Sequence, residues 1–260
     1  MELKDYLPVW NKLTEKEKLA LENSVVRKKL KKGTVIHNGT QDCNGLFIII
    51  SGEIRVYTIS DGGREITVYR LFDRDICLFS ASCMLNSIQF ELTIETQKET
   101  DVFVLPAEVY KKIMAESAPL ANFTNELLSS RFTEVMWLLD QILWKSFDKR
   151  LAGFLLEESA IQDTQTLKIT HEEIGNHLGN PREVVTRMLK YFSREGMVEL
   201  ARGTIRLTDV KNSGIYKRRP PSGLYPERRY FYCLFLPPTF PALSGPKPKL
   251  PPELNSFQTP

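Results

Sequence analysis

Cysteine is scarce in this chain of 260 residues, and so are histidine and long apolar runs. The four cysteines, Cys43, Cys77, Cys83 and Cys233, make no CxxC pair and no regular framework. That argues against a disulfide scaffold and against a structural zinc site, and free thiols are expected. Only His37, His171 and His177 offer imidazoles, too few and too dispersed for a clustered metal centre. No apolar run approaches the roughly 20 residues that cross a bilayer, and no basic leader with an apolar core opens the chain. The expected setting is the cytoplasm, with no membrane partner. A net charge of +3 is too small to announce a nucleic-acid binder from bulk electrostatics. Such a function would need a local basic patch.

What is present divides the chain into four parts. Hydrophobic residues at 42% and charged residues at 26% are ordinary for a globular protein, and the length suffices for two domains with separate cores. Residues 1 to 30 read as a helical lead-in, with Thr14 and Glu17 as a T-x-x-E capping pattern. From about 33 to 106, the runs TVIH, LFIIIS, IRVYTI, EITVYRL, FELTIET and DVFVLP alternate with turn signals such as Ser51-Gly52 and Asp61-Gly62-Gly63. Short strands at near-regular spacing predict an antiparallel jelly roll or barrel, a container fold, and residues 1–118 are assigned to it.

A long helix is predicted over 119–145. Leu128, Phe132, Val135, Leu139 and Ile142 recur at steps of four and three, the alternation of a two-helix seam. The stripe could be buried against the helix's own β domain, but a second stripe, Phe123, Leu127, Met136 and Leu143, is available for that role. A parallel homodimer is therefore expected. Beyond 214 eleven of the fifteen prolines crowd into the last 47 residues, so that tail, 214–260, is expected to be disordered. The change is abrupt enough to suggest an unstructured extension or an expression or reading-frame artefact.

Residues 146–213 carry the most specific pattern. Thr170 and Glu173 form a capping box that opens a short helix, HEEIGNHL, and Gly179 supplies its left-handed stop. Asn180 is then placed to cap a second helix, with Pro181 at its first position. At the helical 100° step Val184, Val185, Met188, Leu189 and Phe192 share one face, while Arg182, Glu183, Thr186, Arg187, Lys190 and Arg194 point away. Two helices joined by a tight turn, followed by MVEL, a turn at Arg202-Gly203 and TIRL, make a helix-turn-helix with a β-hairpin wing. From Arg182 to Arg194 the local charge is +3, supplying the patch that the bulk charge lacks. A bare helix face of this size fits the major groove of double-stranded DNA. Arg182 and Arg187 can fork onto guanine, and Glu183 can accept from a cytosine amino group. Thr170, His171 and Lys190 suit the phosphate backbone. Thr186 shares the exposed face.

The order β domain, long helix and winged helix, with THEEIGNHLGNPREVVTRMLKYFSREGMVEL at its end, resembles the Crp/Fnr family of bacterial transcription regulators over roughly residues 10 to 210. The resemblance implies an α+β fold with a cyclic-nucleotide-binding-like sensor, a dimerisation helix and a winged helix-turn-helix. It implies base reading by Arg182, Glu183 and Arg187, a pseudo-palindromic operator bound by a homodimer, and room for RNA polymerase as a further partner. The small hydroxyl residue common before the first of these arginines is Pro181 here.

The family's cyclic-nucleotide phosphate cassette is missing. Its Gly-Asp turn is Arg74-Asp75 here. Leu78 and Phe79 stand where Gly-Glu would fall, and Gln89 and Phe90 stand near the Arg-Ser positions. Without that guanidinium the charge-assisted phosphate bond is lost, which argues against cyclic AMP. Residues 1 to 42 hold no cysteine for an iron-sulfur cluster; a haem would want an axial His or Cys, for which His37 and Cys77 are conceivable, although a lone His before a β run is more often structural. In place of the cassette stands CLFSASCML, a stretch shared by some relatives that do not use cyclic nucleotides. Cys77, Ser80, Ser82 and Cys83 there are candidates for a small effector or a thiol redox switch, and simple packing of small residues is the alternative. No cofactor is identified. Two rival functions remain open from sequence: a cupin-like enzyme, for which His37 stands alone among the β runs, and a protein–protein interaction module.

Overall fold

The computed structural model describes residues 2–38, 45–78 and 91–208. Alternation along two strands sets the layers of its N-terminal half. Strand β3 (Leu46–Ser51) is apolar and buried at five successive positions, a run that only a strand covered on both faces can hide. Leu46, Ile48 and Ile50 enter a core completed by helices, whereas Phe47 and Ile49 enter a core between two sheets. Strand β8 (Thr100–Leu105) divides the same way, Phe103 and Leu105 to the helices, Val102 and Val104 to the facing sheet.

The first sheet adds β1 (Val26–Leu30) and β6 (Ile76–Cys77), in the order β1-β8-β3-β6. The second runs β2-β7-β4-β5, from β2 (Val35–Asn38), β4 (Ile54–Ile59), β5 (Glu65–Leu71) and β7 (Thr93–Thr96). Every pairing is antiparallel, giving the expected jelly-roll-like container. The lead-in is only partly helical. Two 3-10 turns, Leu3–Asp5 and Trp10–Lys12, precede helix α1 (Glu15–Ser24), whose capping box of Thr14 and Glu17 is present. Residues 26–30 are instead the edge strand β1. Its Arg27, Lys28 and Lys29 lie exposed, cations that guard an open sheet edge, so their polarity hid the strand.

Helix α2 (Ala107–Glu116) buries Tyr110, whose hydroxyl lies 2.9 Å from that of Thr124 on the long helix α3 (Ala118–Trp144). The first half of α3 belongs to the sensor: Leu120, Phe123 and Leu127 are buried in the helix-facing core, and Leu128 packs half-buried against it. After Arg131 the apolar residues emerge. Phe132, Val135, Leu139 and Ile142 are exposed, but so are Met136 and Leu143, which the second stripe had assigned to the sensor. The reason is geometric, since the buried side of α3 among the described residues ends near Arg131, beside Tyr69, and the apolar residues that follow face outward.

Two extended residues, Lys145 and Ser146, break the chain before α4 (Phe147–Gln162). A second unit follows, with α5 (His171–Leu178), α6 (Arg182–Arg194) and a three-stranded sheet ordered β10-β11-β9 from β9 (Thr166–Leu167), β10 (Val198–Ala201) and β11 (Thr204–Leu207). Its core gathers Leu151, Leu155, Leu167, Ile174, Val185, Leu189, Phe192 and Ile205. The two units meet where the end of α5 reaches β5, with Ile66 bridging to Leu178. Among the described residues, no helix is long and apolar enough to cross a membrane.

Candidate nucleic-acid interface

Helix α6 forms because its apolar residues fall on one stripe. Val185, Leu189 and Phe192 are buried against α5 and the wing. The opposite side is bare, as the sequence requires: Arg182, Glu183, Arg187, Lys190 and Arg194 are all exposed. Of these, Arg187 also borders an open groove of ≈ 500 Å³ lined by Asp148, Val184, Met188 and Tyr191. The three cations Arg182, Arg187 and Lys190 carry no ion pair among the described residues, so their donors are available to a polyanion.

The entry to α6 corrects one expectation. Pro181 is the N-cap, extended at ψ 145°, and its carbonyl accepts from the amides of Val184 and Val185. Asn180 does not cap the helix, because its side-chain carbonyl accepts from Arg150 Nη2 at 3.1 Å. Arg150 Nη1 also donates to the Leu178 carbonyl at 3.0 Å, so one guanidinium on α4 grips both sides of the turn. Nothing in the sequence marked Arg150 for this role, since its partners lie 28 and 30 residues away.

Helix α5 begins as predicted, with Thr170 Oγ1 accepting from the Glu173 amide and Glu173 accepting from the Thr170 amide. Gly179 ends it at φ +70°. His171 and Thr186 are less free than the sequence suggested. The Thr186 hydroxyl donates to the Arg182 carbonyl at 2.8 Å and lies 2.9 Å from His171 Nδ1. With its one hydrogen spent on Arg182, Thr186 accepts from His171, which fixes the Nδ1–H tautomer. Burial and the neighbouring Arg182 hold the imidazole below its ordinary pKa, so it is neutral near pH 7. The pair therefore ties α5 to α6, and the outer edge of each remains for a ligand.

In the sensor, Arg74 takes φ +71°, the left-handed conformation for which the family pattern has glycine. Asp75 beside it is buried and accepts from the Phe72 amide at 2.8 Å. Leu78, at one of the Gly-Glu positions, is buried in the helix-facing core and offers no polar atom to a phosphate. Cys77 is buried between the sheets, out of reach of a soluble oxidant without local opening. His37 is likewise buried, as a structural residue would be. Phe79, Ser80, Ser82, Cys83, Gln89, Phe90 and the proline-rich tail lie outside the described residues. Among those described, no three His, Cys, Asp or Glu side chains converge to hold a metal ion.

Residues 149–212 match the model of a Crp-like helix-turn-helix domain, and residues 27–117 match that of a cyclic nucleotide-binding domain. The crystal structure of a protein assigned as a transcriptional regulator of the Crp/Fnr family from Eubacterium rectale is 57% identical, with a TM-score of 0.78, over 80% of this chain and 96% of that one. An anaerobic regulatory protein of Haemophilus influenzae is 26% identical over 207 residues, which is 76% of this chain and 79% of the relative. A cyclic AMP receptor protein of Thermus thermophilus is 26% identical over 165 residues, 64% of this chain and 76% of the relative. These relatives are regulators and not enzymes, which sets the cupin-like alternative aside. A jelly-roll domain, a long helix and a winged helix with its charged face uncovered, matched over nearly the whole of a solved relative, make this chain a member of the Crp/Fnr family of transcription regulators.

Proposed function

We propose that the protein is a homodimeric, sequence-specific DNA-binding regulator whose two α6 helices read a pseudo-palindrome, roughly 34 Å apart, in successive major grooves. One observation carries this reading: Arg182, Glu183 and Arg187 stand exposed on a helix whose opposite face packs Val185, Leu189 and Phe192 into the core of the winged helix. Arg182 and Arg187 would read guanine and Glu183 cytosine, while Thr170, His171 and Lys190 would hold phosphates. Thr186 acts mainly by setting the position of Arg182 and His171.

The dimer would form along α3. Phe132, Val135, Met136, Leu139, Ile142 and Leu143 leave one side of three turns apolar and exposed, the kind of contiguous patch that marks an interaction site. The effector would be a small molecule or a redox signal felt in the sensor, near Cys77, Ser80, Ser82 and Cys83. Cyclic AMP is not the effector this reading expects. Arg131 gives the signal a path onto α3. It is buried, pairs with Glu134 at 2.8 Å, and stacks over Tyr69 with its charge centre 5.1 Å from the ring. Burial alone would lower its pKa, yet Glu134 and Asp75 outweigh that and raise it, so the guanidinium stays charged.

The test is selection of DNA fragments by the purified full chain, followed by titration of the selected duplex against salt. A shared half-site in inverted repeat and a steep loss of affinity with salt are expected, because each neutralised phosphate releases counterions. Failure to enrich any sequence, or binding indifferent to salt, would leave the winged helix as a protein-docking module.

A further inference from the structure

The contact between the jelly-roll unit and the winged-helix unit has a polar part, built on two arginines of the β strands. Arg55 on β4 spends its whole guanidinium there. Nε donates to Thr67 Oγ1 at 2.7 Å, Nη1 to Glu65 at 2.6 Å, and Nη2 to the Asn176 carbonyl in the last turn of α5 at 2.8 Å. Arg70 on β5 is buried and reaches Glu53 at 3.3 Å on the sensor and Glu158 at 2.6 Å on α4. Between these two cations lies His177, its Nδ1 2.9 Å from the Thr67 hydroxyl and its ring 5.1 Å from that of Phe154. Gly179 completes the seat, since a Cβ there would stand 3.2 Å from the Ile66 side chain.

The hydrogen bonds favour one state of the imidazole. Thr67 Oγ1 accepts from Arg55, and its own hydrogen has no other acceptor among the described residues, so donation to His177 Nδ1 satisfies both groups when the ring presents a lone pair there. A proton on Nδ1 would replace that acceptor with a donor and set a third positive charge beside two guanidiniums. We propose that His177 is the positioning residue that docks the helix-turn-helix on sensor strand β5, and that it does so only as a neutral imidazole, making the docked arrangement a proton-sensitive latch. Docking fixes α5, and through α5 it fixes the mount of α6 relative to α3. The inference rests on the DNA-reading assignment only for this consequence, because the latch itself can be tested without DNA.

The charges around His177 agree in sign. Arg55 on β4 and Arg70 on β5 repel an imidazolium, and their carboxylate partners Glu65, Glu53 and Glu158 are engaged with them. On α4 Phe154 is apolar, and on α5 itself Glu173, one turn earlier, is bound to the Thr170 amide. Burial first, then Arg70 and Arg55, push the docked imidazole down to about 2. A group whose pKa falls on docking favours the docked state above its free pKa, about 6.5, and penalises it progressively below. Glu157, near Arg70, is pushed the other way by burial, but 41% of its side-chain surface is open to solvent and its effect is screened.

With a free pKa near 6.5, the docking equilibrium should weaken about tenfold between pH 7.5 and 5.5. Hydrogen exchange on the full chain, corrected for the intrinsic pH dependence, should show this loss in peptides covering β5 and α5. The Phe47 to Ile49 amides of β3, in the sheet interior, should remain protected. His177→Gln keeps an acceptor for Thr67 without titrating, and should hold its protection at both pH values. The chain has only three histidines, so their NMR titration gives a second measurement. One imidazole should stay neutral down to pH 5 in the wild type, and that resonance should be missing in the Gln variant. Wild-type protection that does not change with pH, a Gln variant that loses it in parallel, or a His177 that titrates near 6.5 in the folded chain would each overturn the latch.

Discussion

Arg187 and Lys190 stand one turn apart on the exposed side of α6, yet their removal should have different consequences. A planar fork on guanine is worth about 1 to 3 kcal/mol of discrimination, whereas a lysine on phosphate adds affinity without information. Arg187→Ala should therefore lower the preference for operator over random duplex by about tenfold to a hundredfold. Lys190→Ala should weaken both duplexes alike and reduce the salt slope by about 1. Competition titrations at fixed ionic strength measure both. Equal loss for operator and random DNA in Arg187→Ala would make that arginine a phosphate contact, and the base-reading role would pass to Arg182 and Glu183. These residues were legible in the sequence because a helix displays its own period. Arg55, Arg70, Arg150 and His177 were not. Arg55 meets Asn176 across 121 positions and Thr67 meets His177 across 110, distances over which no local pattern survives.

At the scale of the element, a tight constraint lies where α5 meets the turn that leads to α6. A Cβ on Gly175 would stand 2.5 Å from the Asn180 carbonyl oxygen, a backbone atom with no rotamer to escape by. Gly175→Ala ought to gain about 0.5 to 1 kcal/mol from helix propensity. The clash outweighs that gain, since forcing a methyl into a packed site costs about 1 to 3 kcal/mol. Calorimetry of the full chain should find the winged-helix transition lowered in Gly175→Ala and the jelly-roll transition unmoved. A variant melting at or above the wild type would mean that the turn can open freely. The sequence identified this turn through Gly179 but misjudged its neighbours: Asn180 looked like a cap because its chemistry permits it, and Arg150 had already claimed the oxygen. Strand β1 was missed for a related reason. The open edge of a sheet favours Arg27, Lys28 and Lys29, and a strand guarded by charge has no apolar period to read. The opposite case is β3, whose unbroken apolar run announced a strand but gave no sign that one face met helices and the other a second sheet.

For the whole molecule the decisive surface is the second half of α3. The sequence predicted one stripe for a partner and another for the sensor. The protomer instead leaves Met136 and Leu143 beside the seam, which widens the face a second copy would have to cover. Leu139 is central to it and 44% exposed, so a charge there should cost the single protomer little. In a dimer the same position would face its counterpart. Full burial of a leucine side chain is worth about 1.5 to 3 kcal/mol, so Leu139→Glu forfeits somewhat under half of that per side and sets two carboxylates against each other. Sedimentation velocity at micromolar concentration should find a monomer whose circular dichroism matches the wild type. Losing the link between two half-sites removes an avidity of about 10²- to 10⁴-fold, so binding to an inverted repeat should fall by that range while a single half-site is bound as before. An intact dimer in Leu139→Glu would move the subunit interface off α3, and the apolar face would then need another occupant.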